Sequence, residues 1–154
     1  MADADDGVRS MWIPLRGVNM LLPSVSVAEV NNYQMPKELP ETPNWLLGTI
    51  TWRDQTVPVI SLEVLCGEKV PANLVYSRII IVNSIRPESP VRFYAIVAAG
   101  LPKLIRFNEV AAADTEISTL DALQCRVTVN HETAVIPNLG YIQGLLEQHR
   151  DIAA

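Results

Sequence analysis

Histidine, cysteine and positive charge are all scarce in this chain, and each scarcity excludes a class of function. Two histidines and two cysteines are scattered through 154 residues. An enzyme needs a nucleophile, a base and an orienting group that converge. His131 falls at an expected hairpin tip and His149 at the expected frayed end of a helix, places where side chains are solvated. No G-x-S-x-G elbow and no phosphate loop occurs. Cys66 and Cys125 lie far apart and show no C-x-x-C spacing, so they are expected to be small apolar fillers. Together with the two histidines they match no zinc spacing. No catalytic residue, cofactor or metal is expected.

Lysine and arginine number 12 against 17 acidic residues, for a net charge of −5. A nucleic-acid binder needs a basic stripe to neutralise phosphates, and adhesion to an anionic leaflet needs basic charge too. Long hydrophobic runs are missing as well. The longest, Phe93 to Ala99, is far short of the ~20 residues of a membrane-crossing helix, so no membrane insertion is expected. The opening MADADDGVRSMW carries three aspartates and no apolar core, unlike a secretory signal. A cytoplasmic protein is expected, brought to a membrane only by a partner.

Apolar residues, in contrast, make up 49% of the chain. One domain of this size buries about 70% of its unfolded surface. The apolar runs are short, rich in branched residues and cut by Gly and Pro, which reads as roughly nine or ten short strands. Candidate strands are Met11 to Leu15, Val18 to Leu22, Ser24 to Val30, Arg78 to Asn83, Phe93 to Ala99, Lys103 to Phe107, Gln124 to Val129 and Thr133 to Ile136. RIIIVN at Arg78 to Asn83 reads as a strand buried on both faces. Met35 to Pro43 and Val70 to Tyr76 read as loops, and Asn108 to Leu120 as a stretch without assigned structure. One helix follows Asn138 as N-cap, with Leu139, Ile142, Leu145 and Leu146 as its apolar stripe. No repeat of solenoid period is present. The fold class is all-β: a barrel or pair of barrels covered by a terminal helix.

The most informative stretch is Pro43 to Gly67, PNWLLGTITWRDQTVPVISLEVLCG. Two apolar runs flank the polar break Arg53-Asp54-Gln55, giving strand, tight turn, strand and a short helix closed by Gly67. Pro58 sits early in the second strand, where its missing N–H is tolerated at a strand start or edge. The spacing Gly48-x4-Arg53-x4-Pro58-Val59-Ile60-x-Leu62 resembles the CheW-like adaptors of bacterial chemosensory systems, whose pattern here is G-x-x-x-x-R-G-x-x-x-P-V-x-D-L. Two positions depart from it. Asp54 stands where Gly is usual, and Ser61 where Asp is usual, so a role of that carboxylate is not carried over. Val27-Ala28-Glu29-Val30 is similar to the family's V-x-E-V/I strand, and Ser77 to Val82 to its T-R-I-I-V-V strand. The divergent members of the pilus (twitching) system, PilI and ChpC, are the more similar branch.

The resemblance runs from about Trp12 to Leu146. It implies two small five-stranded barrels packed side by side, with the C-terminal segment returning to the first. On that basis residues 11–148 form one CheW-like domain, between a flexible acidic tail at 1–10 and a short tail at 149–154. It implies a non-enzymatic adaptor that docks the regulatory domain of a CheA-like histidine kinase and the cytoplasmic tip of a chemoreceptor. It also implies partner-binding roles for Val27, Glu29, Val30, Gly48, Arg53 and Pro58. Glu29 matches the position whose carboxylate sits near the arginine in such domains, the two bordering a groove between the barrels. Strand alternation places Val27 and Val30 on opposite faces, so at most one of them lines that groove. Trp45 and Trp52 read as core. The rival reading, from a different class, is an orphan β-barrel that binds a small molecule.

Overall fold

The structure, a computed structural model, describes residues 8–68, 78–107, 112–117, 120–129 and 131–149. Among the described residues, eleven strands and two α-helices follow one another: β1 (Val8–Pro14), β2 (Asn19–Pro23), β3 (Val27–Asn32), β4 (Leu46–Trp52), β5 (Gln55–Ile60), α1 (Leu62–Leu65), β6 (Arg78–Asn83), β7 (Phe93–Ala98), β8 (Lys103–Phe107), β9 (Ala112–Ile117), β10 (Leu123–Val129), β11 (Glu132–Pro137) and α2 (Leu139–Glu147). They form two sheets, a six-stranded one in the order β8-β1-β2-β11-β10-β9 and a five-stranded one in the order β3-β6-β7-β5-β4. The all-β reading with a terminal helix is correct, and β8 adds a sixth strand to the first sheet by pairing with β1.

Alternation along β6 organises the interior. Ile79 and Ile81 point into the second sheet's own core, with Ile50, Trp52, Val57, Val59, Ala95 and Val97. Ile80 and Val82 point the other way, into the main core between the sheets, where they meet Ile13, Met20, Leu22, Tyr94, Ile96, Ile142 and Leu146. A smaller cluster of Trp12, Leu21, Val127 and Ala134 fills the concave side of the first sheet. A strand buried on both faces cannot alternate apolar with polar residues, hence the unbroken Ile79–Val82 run.

Helix α2 lies on this main core. Asn138 caps it as expected, its Oδ1 accepting from the Tyr141 N–H at 3.1 Å, while Ile142 and Leu146 are buried. Buried Gln143 donates to Ser89 Oγ and to the Val91 carbonyl, both at 2.9 Å. Arg86 pairs with Glu147 at 2.7 Å. The helix is thus pinned to the β6–β7 connection by polar contacts as well as by packing.

Several expectations need correction. Strand β1 begins at Val8, inside the stretch expected to be tail, because β8 offers it a partner from Val8↔Phe107 onward. Strand β9 occupies part of the stretch left without structure, paired with β10. Ser24–Ser26 is a 3-10 turn rather than the start of a strand. His149 is not fully solvated: its ring meets Trp45 edge-on, centroids 5.9 Å apart. The expected loop at Val70 to Tyr76 and the outer parts of both expected tails lie outside the described residues.

Candidate functional site

The β4–β5 hairpin turns in two residues. Trp52 pairs with Gln55, and between them Arg53 and Asp54 both take positive φ, +48° and +63°. That is the mark of a type I′ turn, whose twist matches that of the flanking strands. Asp tolerates the left-handed region better than most residues, so the turn survives without the glycine usual at position 54. The turn holds the Arg53 side chain back over the sheet: its guanidinium carbon lies 4.8 Å from the centre of the Trp52 ring. Trp52 is itself buried and packs edge-to-face on Phe93, ring centres 4.8 Å apart. An exposed cation is thereby set on a fixed aromatic floor.

Glu29 reaches the same place from β3, the opposite edge of the sheet. Arg53 Nη2 donates to Glu29 Oε1 at 2.7 Å, with the arginine side chain 67% exposed and the glutamate 32%. Strands β3 and β4 are the two ends of the five-stranded order, so the contact means that the sheet curls until its edges approach. Lys37 closes the same seam, exchanging both backbone bonds with Thr49 at 2.8 and 3.0 Å. Partial loss of water pushes the Glu29 carboxyl up, but the Trp52 indole, Arg53 and the Asn31 amide outweigh it and hold the group below its ordinary range. The indole N–H closes no well-formed hydrogen bond of its own, so it acts here as a dipole beside the carboxylate.

The other predicted site residues are placed differently. Gly48 is buried beneath the loop that follows β3: a Cβ there would stand 2.2 Å from the Lys37 carbonyl oxygen, and its φ is +143°. Pro58 is buried in β5, an interior strand rather than an edge. Its partner Thr49 spends both backbone groups on Lys37, so Thr49 and Pro58 are a pair without ladder bonds and Pro58 withholds none from β4. Toward β7 the pairing starts only at Val59. The missing N–H is therefore tolerated in mid-sheet.

Val27 and Val30 both pack against the main core, where alternation had placed them on opposite faces. A register shift between Val27 and Glu29 inserts one extra residue, and such a bulge resets the alternation. A pocket of about 480 Å³ beside the β1–β2 turn, α1 and β10 is bordered by Leu15, Val18, Leu62, Leu123, Arg126 and Val135 among others, and neither the pair nor these valines line it. The pair stands where the two edges of the second sheet approach each other. Sequence reasoning singled out Glu29 and Arg53 but missed the Trp52 floor, which the adjacency of Trp52 to Arg53 could have signalled.

The CheW-like domain model matches residues 9–139. The chain belongs to the CheW-like domain family. Among solved structures it is similar to the scaffolding protein TtCheW from Thermoanaerobacter tengcongensis. The TM-score is 0.70 at 21% identity, over 86% of this chain and 90% of that one. The likeness shows a shared CheW-like fold. A search of the curated proteins finds no significant match.

Within the CheW-like pattern, the usual aspartate of P-V-x-D-L is Ser61 here. Ser61 is the N-cap of α1, its Oγ accepting from the Val64 N–H at 3.2 Å. It also donates to Glu63 Oε1 at 3.2 Å, and the other Glu63 oxygen accepts the Arg16 N–H at 3.0 Å. Serine therefore supplies the cap, while a buried carboxylate two residues on ties α1 to the β1–β2 turn. Ser61→Ala is expected to cost about 1 kcal/mol, read from thermal denaturation. Ser61→Asp would place a second carboxylate against Glu63 and is expected to cost more.

Burial raises both thiols, with the Glu63 carboxylate adding to the effect at Cys66. Neither is a ready thiolate at neutral pH.

Proposed function

We propose that this CheW-like chain is a non-enzymatic adaptor of a bacterial chemosensory array. It couples the cytoplasmic tip of a chemoreceptor to the regulatory domain of a CheA-like histidine kinase, in the branch that controls type IV pilus twitching. The family membership over residues 9–139 carries the reading. The arrangement around β3 supports it: Glu29 and Arg53 present a fixed polar pair. Val25 at 83% exposure and Met35 at 80% stand just outside the two ends of that strand. Exposed apolar side chains around a polar anchor suit a protein-binding surface. The rival reading, a small ligand inside a barrel, finds less support. Described side chains already fill the concave sides of both sheets. No helix among the described residues is long and apolar enough to cross a membrane.

The pair's role is to fix shape. An exposed, solvent-screened ion pair adds too little to matter for stability. Because the Glu29 carboxyl titrates below its ordinary range, the pair is closed at neutral pH. Whatever it contributes is lost as pH falls through that lowered value. Arg53→Ala is expected to leave the melting temperature nearly unchanged while weakening kinase coupling in arrays reconstituted from receptor, kinase and adaptor. Reversing both charges, Glu29→Arg with Arg53→Glu, should restore part of the coupling. A double reversal no better than either single change would remove the proposed role of the pair. Intact coupling in Arg53→Ala would remove the site.

A further inference from the structure

We propose that the outward face of β1 and β8 docks an acidic segment of a partner protein, one that presents carboxylates beside an apolar side chain. The face is built by the register of the two strands. Arg9 stands directly opposite Arg106, and Met11 opposite Leu104. Directly opposed residues share a face of the sheet, so these four point the same way, away from the side that carries Trp12 and Ile105 into the concave core. Toward Met11 and Ile13 this face is covered by the main core; at Arg9, Leu104 and Arg106 it is exposed. Leu104 is 50% exposed, and Leu101, at the bend before the strand, is 67% exposed. The exposed part of the face is thus two guanidiniums and one leucine, Leu104.

Two features make this unusual. Like charges directly opposite in an antiparallel pair destabilise the sheet, and no ion pair to either arginine is found among the described residues. The chain as a whole is acidic, at −5, so a local pair of arginines runs against its general charge. A carboxylate placed between two guanidiniums relieves their repulsion and takes charge-assisted bonds from both. The adjacent Leu104 supplies apolar contact for a neighbouring side chain of the same segment. The surface lies in the first sheet, whereas Glu29 and Arg53 belong to the second, so it does not depend on the adaptor reading.

The test titrates the isotope-labelled full chain with a short peptide alternating glutamate and leucine, and follows the backbone amides by NMR. Shifts concentrated in Val8–Pro14 and Lys103–Phe107 are expected, weakening as salt rises. A lysine–leucine peptide should not bind there. Arg106→Glu turns the repelling pair into an attracting one. It is expected to lower peptide affinity about tenfold or more while raising the melting temperature by about 1–3 °C. Arg106→Gln, which adds no charge, should weaken binding in the same direction.

Undiminished binding in both variants, shifts elsewhere on the chain, or equal binding of the lysine peptide would overturn the proposal. Three other occupants would also overturn it. Arginine-dependent binding to phosphatidylserine vesicles, with none to the peptide, would make the surface a lipid contact. A tenfold gain in peptide affinity on deleting residues 1–7, with their three aspartates, would make the chain's own start the occupant. Self-association abolished by Arg106→Glu would make it a second copy.

Discussion

Gly48→Ala is expected to cost about 3 kcal/mol or more, a fall of about 6–12 °C in melting temperature. Two independent effects combine. The position has φ +143°, where a side chain is strained, and the new Cβ would lie 2.2 Å from the Lys37 carbonyl oxygen and 2.7 Å from its carbon. The obstacle is backbone, so the loop must move, and moving it breaks the Lys37–Thr49 exchange that closes the seam between β3 and β4. Gly17 is the control. It also has positive φ, +81°, but a Cβ there meets nothing within 4 Å, so Gly17→Ala should cost only about 1 kcal/mol. Equal losses at the two glycines would show that conformation alone decides, and that the close approach of Lys37 contributes nothing. Gly48 thus serves the shape of this edge.

Ile142→Ala is expected to cost about 2–5 kcal/mol in chemical denaturation. Ile142 is 0% exposed and lies in the main core between the sheets. Shortening it leaves a cavity that residues from both sheets must line. Tyr141, its neighbour, is 38% exposed, and Tyr141→Ala should change stability by no more than about 0.5 kcal/mol. A small effect at Ile142 would mean that α2 merely covers the core instead of completing it.

These residues also show what the sequence could and could not convey. The double burial of β6 is legible because four successive apolar residues, Ile79 to Val82, leave no polar face. The Asn138 cap and the apolar stripe of α2 are local patterns as well. So are the turn at Arg53-Asp54 and the strands around it. The bulge at Val27–Glu29 is not legible, since one inserted residue leaves no mark on composition and yet moves Val27 onto the same core as Val30. Strand β9 escapes notice because Ala112–Ile117 is alanine-rich and polar, with its place set by pairing to β10. Pro58 reads as an edge signal but sits mid-sheet, since Lys37, far away in sequence, takes up both hydrogen bonds of Thr49. At the site, the resemblance to the CheW-like pattern brought Glu29 and Arg53 together. The stacking of Arg53 on Trp52 depends on the positive φ of the turn, which no spacing rule states.

The central claim, that this CheW-like chain is a chemosensory adaptor, is tested most directly by titration calorimetry of the full chain into the regulatory domain of a CheA-like kinase from the same cell, at low and high ionic strength. The account predicts saturable binding of modest affinity with a negative heat-capacity change, nearly independent of salt, because apolar surface drives the contact. Absence of binding at both ionic strengths, or binding that collapses at high salt, would contradict it.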